Sequence, residues 1–137
     1  MKISQKLEYA CRALVQLARQ HDAKTLTRLE QIAQREAVSA NFLVQILNDL
    51  RRAGLIESRR GKSGGYLLAL PPGEISLRQV VEAVDPGLLP CSASSEGESG
   101  SGVRQAWSSI SKALCDALER TTIDSIAQQS GDPMFYI

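Results

Sequence analysis

Apolar residues recur along most of this chain at intervals of three and four, the period of a helix with one buried face. In the first stretch Leu7, Ala10, Cys11, Leu14, Leu17 and Ala18 share such a face, and Ser4 stands where a helix N-cap belongs. "TRLEQIAQ" predicts a short helix to about Arg35, opened by a capping box of Thr27 with Glu30. Ser39 predicts the cap of a third helix, "ANFLVQILNDLRRA". Its Phe42, Leu43, Ile46, Leu47 and Leu50 point inward, and Gly54 is its left-handed stop. The period then changes. "LIESRRGKSGGYLLAL" reads as strand, glycine turn and strand, closed by Pro71 and Pro72. A second capping box, Ser76 with Gln79, starts "SLRQVVEAVD", and Pro86 with Gly87 follows it.

Next, "CSASSEGESGSG" has no period and predicts a flexible loop. Beyond it a long helix is expected from near Val103. Val103, Trp107, Ile110, Leu114, Ala117 and Thr121 step by four and three, the spacing of a coiled-coil seam. Set apart by the loop, that stripe suits a helix from a second chain, so a homodimer is expected. The organisation expected is a first unit over 1–85, a sensor-like loop over 86–102, a dimerisation helix region over 103–129 and a tail over 130–137.

Composition narrows the classes. A length of 137 residues suits one compact domain with an appended element, and a net charge of +1 excludes a uniformly basic nucleic-acid coat while allowing a local basic patch. No run of 18 apolar residues offers a membrane span, and the N-terminal stretch lacks the order of a signal peptide. With three scattered cysteines, a disulfide scaffold is not expected and a cytoplasmic location is. Paired nucleophiles and bases, and cofactor fingerprints, are lacking in the sequence, so an enzyme is not expected.

"RRGKSGGY" contains the Gly-Lys-Ser that ends a phosphate-binding P-loop, but the first glycine of that pattern would stand at Ile56 and no helix pattern follows. A different constellation accounts for these residues. Two helices about the tight turn "EAVS", followed at once by a basic glycine hairpin, make a winged helix-turn-helix. The fold class expected is therefore mainly α with a small β-hairpin wing and a long C-terminal dimerisation helix. The second helix of the pair turns Asn41, Val44, Gln45 and Asn48 outward, so its first turn suits the major groove of double-stranded DNA. Asn and Gln can pair bidentately with adenine, and Ser39 with backbone amides can hold phosphate. In the wing Arg59, Arg60 and Lys62 supply charge, while Gly61, Gly64 and Gly65 let the backbone approach closely. Arg51 and Arg52, near the helix end, also suit its dipole.

"KLEYACRALVQLA", "SANFLVQILNDLRRAGLIES", "RGKSGGYLLA" and "ISLRQVVEAVD" together resemble the bacterial Rrf family of transcriptional regulators, of the IscR, NsrR and CymR type, over about residues 1–126. The resemblance implies a winged-helix dimer with crossed long helices, with Ser39, Asn41, Phe42, Gln45, Arg59, Gly61 and Tyr66 in or beside the DNA-contacting elements. Members that carry an iron–sulfur cluster place three cysteines in the loop before the long helix. Here Cys91 stands alone, and the other two corresponding places fall near Gly97 and Val103. Glu8 sits where some relatives supply a carboxylate ligand, and the sole histidine, His21, lies past the first helix. The likeness is thus to the CymR-like regulators of cysteine metabolism that lack the cluster ligands, and no cofactor is expected. An alternative is a thiol or oxidant sensor using Cys91, although Glu96 and Glu98 nearby oppose a thiolate. A second alternative is a cluster-dependent regulator.

The chain closes on Met134, Phe135, Tyr136 and Ile137 after the polar "AQQSGD". This ending resembles the isoleucine-ending tail by which serine acetyltransferases enter the active site of O-acetylserine sulfhydrylase, and CymR-type regulators are partners of that enzyme. The likeness implies a partner-binding tail whose carboxylate meets backbone amides while the preceding side chains fill apolar pockets.

Overall fold

The computed structural model describes residues 2–20, 25–89 and 94–130. Six helices and one hairpin follow in the order α1 (Gln5–Arg19), α2 (Leu29–Arg35), α3 (Ala40–Arg52), β1 (Ile56–Arg59), β2 (Gly65–Leu68), α4 (Leu77–Val84), α5 (Gly100–Arg120) and α6 (Ile123–Ser130). Short 3₁₀ turns at Pro72–Glu74 and Pro86–Leu88 flank α4.

Local signals set most of the boundaries. Ser4 Oγ accepts the Leu7 N–H at 3.1 Å, and its own hydroxyl donates to Asp85 Oδ2 at 3.0 Å, so the cap of α1 also holds the end of α4. Ser76 and Gln79 form the expected capping box, with the Ser76 N–H donating to Gln79 Oε1 at 2.8 Å. α3 ends in a Schellman motif. Gly54 sits at φ +79°, its N–H bonds the Arg51 carbonyl at 2.9 Å, and the Leu55 N–H bonds that of Leu50 at 3.1 Å. Leu7, Leu14, Ile32, Leu43, Ile46, Leu47 and Leu50 pack into one core that Val80, Val81 and Ile123 complete. Cys11 and Ala18 are only half-buried at its edge.

Two expectations are corrected. The capping box of α2 is not Thr27 with Glu30: the cap is Arg28, whose N–H donates to Gln31 Oε1 at 3.0 Å. Thr27 is instead drawn into the hairpin. Its N–H bonds the Tyr66 carbonyl at 2.9 Å and its carbonyl accepts the Tyr66 N–H at 2.8 Å, which holds it extended and starts the helix one residue later. α5 begins at Gly100, ahead of the start expected near Val103, so part of the Ser/Gly run is helical. Within 103–129 the long helix stops at Arg120 and a second one follows. At Thr121 and Thr122 the chain leaves α5: the Thr121 carbonyl accepts the Leu77 N–H at 2.8 Å, and the Ile123 N–H donates to the Ile75 carbonyl at 2.9 Å. These bonds replace the helical ladder, and α6 then folds back against α1.

Candidate nucleic-acid interface

The turn between α2 and α3 is made by Ala37 at φ +53°, a left-handed residue without glycine's freedom, with the Val38 N–H bonded to the Ala33 carbonyl at 3.0 Å. Ser39 then caps α3, accepting the Phe42 N–H at 3.2 Å. From this start Asn41 and Gln45 are exposed, and Val44 and Asn48 are half-buried along the same side. Phe42 does not join that row: its ring is half-buried, edge-on to Tyr9 with centroids 6.1 Å apart. It steadies α3 on α1, as does the ion pair of Lys6 with Asp49.

β1 and β2 pair antiparallel, with Ile56 opposite Leu68 and Arg59 opposite Gly65, so the loop carries Arg60, Gly61 and Lys62 at its tip. All three are exposed, as is Arg59, which reaches Glu57 at 3.6 Å. Arg51, Arg60 and Lys62 have no carboxylate partner among the described residues. The wing's glycines are required where two backbones meet. A Cβ on Gly64 would lie 2.3 Å from the Arg59 carbonyl oxygen, and one on Gly65 2.7 Å from that of Thr27. Tyr66, half-buried, pairs with Thr27 and lines the groove between wing and α3. Sequence reasoning missed Arg28, whose guanidinium donates to the Lys62 carbonyl and so ties the start of α2 to the wing tip. The two residues are 34 apart in the chain, and nothing local signals the contact.

The second expected surface lies on α5. Residues 101–110 are all exposed, and within them Val103, Trp107 and Ile110 are 55%, 60% and 55% accessible. Leu114 is half-buried and Ala117 exposed, while Leu118, which the stripe did not include, is the buried residue that anchors the helix. Cross-links from Arg78 to Glu119 at 3.6 Å add little at such exposure.

The thiols offer limited chemistry. Burial, reinforced by Glu8, pushes the Cys11 thiol up to about 11, so it remains protonated at neutral pH. Cys115 is half-buried. Cys91, His21 and the tail Met134–Ile137 lie outside the described residues. Among the described residues no three His, Cys, Asp or Glu side chains come together as a metal site.

The family model Rrf2, described as an iron-dependent transcriptional regulator, matches residues 3–129. The chain belongs to the Rrf2 family. Within it, the helix-turn-helix regulator CymR of Bacillus subtilis is 32% identical over the full length of both chains. The solved structure of that CymR, the global cysteine regulator of B. subtilis, superposes with a TM-score of 0.82 at 31% identity, covering 94% of this chain and 98% of the other. Staphylococcus aureus CymR in an oxidized form gives 0.75 at 33% identity, over 93% and 96% of the two chains. T. potens IscR gives 0.75 at 27%, over 100% and 97%. The fold is that of the winged-helix CymR and IscR regulators, and this Rrf2 member is a helix-turn-helix transcriptional regulator. No described helix is long and apolar enough to cross a membrane.

Proposed function

We propose that this Rrf2 protein is a homodimeric, sequence-specific DNA-binding repressor of cysteine and sulfur metabolism, controlled by O-acetylserine sulfhydrylase at its C-terminal tail. The observation that carries the DNA reading is the polar start of α3 beside a charged wing. Asn41, Gln45 and Asn48 read base edges in the major groove, Ser39 and the amides it caps hold a phosphate, and Arg59, Arg60 and Lys62 serve the neighbouring minor groove. Gly61, Gly64, Gly65 and Tyr66 shape the wing for that approach. Phe42 acts from beneath, by seating the helix.

The dimer is supported by α5. Its residues 101–110 are all exposed among the described residues, and so short an isolated helix is marginal in water. Val103, Trp107, Ile110, Leu114 and Ala117 meet their symmetry mates and set two α3 helices about one helical turn of DNA apart. The metabolic assignment is supported by full-length likeness to CymR and by the ending in Met134, Phe135, Tyr136 and Ile137. A tail whose carboxylate occupies the enzyme's substrate site is displaced by O-acetylserine, which couples the regulator to cysteine demand. Calorimetric titration of O-acetylserine sulfhydrylase from the same source tests this. Micromolar or tighter binding, lost on deleting Ile137 and competed by O-acetylserine, is expected; no binding by the intact chain refutes the tail's role.

A second reading is favoured by the solved oxidized form of S. aureus CymR: a thiol sensor, with Cys91 as the reactive group. Cys91→Ser then abolishes oxidant-dependent release from DNA, and unchanged release removes that reading.

A further inference from the structure

Between the wing and α3 lies a groove of about 370 Å³ whose rim carries four arginines from three elements: Arg28 before α2, Arg51 on α3, and Arg59 and Arg60 on the wing. Of these, Arg59 alone has a carboxylate partner among the described residues, Glu57. Arg28 is held in place by its bond to the Lys62 carbonyl, which occupies one of five guanidinium N–H donors. In a duplex, the major and minor grooves are separated by a single sugar–phosphate strand. A protein with α3 in one groove and the wing in the next must pass that strand between the two elements, over this groove.

We propose that this groove is a phosphate seat, in which Arg28 and Arg51 clamp the backbone of the strand that crosses from α3 to the wing. The inference rests on the DNA reading above and adds to it a contact made from the start of α2, by a residue that reading does not use. The clamp is indifferent to sequence, since a phosphodiester carries no base identity. Glu30 also lines the groove, and its carboxylate opposes the bound strand.

The test is fluorescence anisotropy on two duplexes, an operator selected by the wild-type protein from a random pool and an unselected duplex, across a range of salt concentrations. Losing one phosphate contact per chain reduces the magnitude of the salt slope by about 0.9, hence by roughly 1.8 in a dimer. R28Q is therefore expected to weaken binding to both duplexes alike, by between about tenfold and a hundredfold at 0.1 M salt. E30Q is expected to tighten both. R28Q should melt close to the wild type, because the cap of α2 uses the backbone N–H of this residue and the bond its side chain makes to the Lys62 carbonyl is exposed to water. An unchanged slope and affinity for R28Q, with wild-type binding intact, overturns the seat and leaves the DNA reading standing. Loss confined to the operator at constant slope makes Arg28 a positioning residue for the wing, and also overturns it. Failure of the wild-type protein to select or bind any duplex overturns the DNA reading itself.

Discussion

Replacing Trp107 by alanine is expected to dissociate the proposed dimer while leaving each chain folded. The indole is 60% accessible in the protomer and lies mid-way along a helical stretch with no buried residue. A tryptophan side chain offers at most about 250 Å², so a second chain can remove roughly 150 Å² from water, worth about 4 kcal/mol. Alanine retains part of that burial, leaving about 3 kcal/mol per copy. An isologous interface contains the residue twice, so the sum is near 6 kcal/mol, or about 10⁴-fold in dissociation constant. Side-chain ordering and imperfectly paired rim groups offset part of this, and a loss of about a hundredfold is the least expected. Sedimentation equilibrium over a concentration series measures it directly. A wild-type chain that is monomeric, or a W107A dimer as tight as the wild type, refutes the assignment of this face.

Four further outcomes follow from particular residues. Gln45→Ala should cost about 1–3 kcal/mol at one base pair of a selected operator and leave binding to random duplex unchanged, which competition with point-substituted operators measures. Gly65→Ala places a Cβ 2.7 Å from the Thr27 carbonyl oxygen at φ +155°, so the bridge to the hairpin must open; chemical denaturation should show a loss of at least about 1 kcal/mol. Ala37→Gly relieves a left-handed alanine at φ +53°, and a gain of up to about 1 kcal/mol is expected in the same assay. The Cys11 thiol is raised from about 9 to about 11 in the folded chain. The folded state therefore binds this proton more tightly, its contribution is complete below pH 9, and stability falls as pH rises from 9 towards 11. Subtracting the profile of Cys11→Ala isolates that slope.

What the sequence made legible was what neighbours in the chain decide. Ser4, Ser39 and Ser76 cap helices with partners three residues away, and Gly54 ends α3 within its own turn, so each could be read in place. Thr27 carries the same local signal but is not the cap, because its backbone partners sit on Tyr66 across the fold. Arg28 is hidden for the same reason: its role exists only once the wing is folded beside it. The break between α5 and α6 depends on Ile75 and Leu77, which claim the backbone groups around Thr121. α5 starts earlier than its Gly and Ser residues suggest, since helix propensity alone does not register the Val103 N–H bonded to the Ser99 carbonyl at 3.1 Å. The outward row of α3, with Asn41 and Gln45 exposed, was legible since exposure on one side of a periodic helix is itself the signal.

Hydroxyl-radical footprinting of the intact chain on its selected operator tests the central claim most directly. The account predicts two protected patches related by two-fold symmetry, centred about one helical turn apart, each flanked by protection of the adjacent minor groove where the wing lies. A single patch, or protection without flanking minor-groove contact, would contradict it.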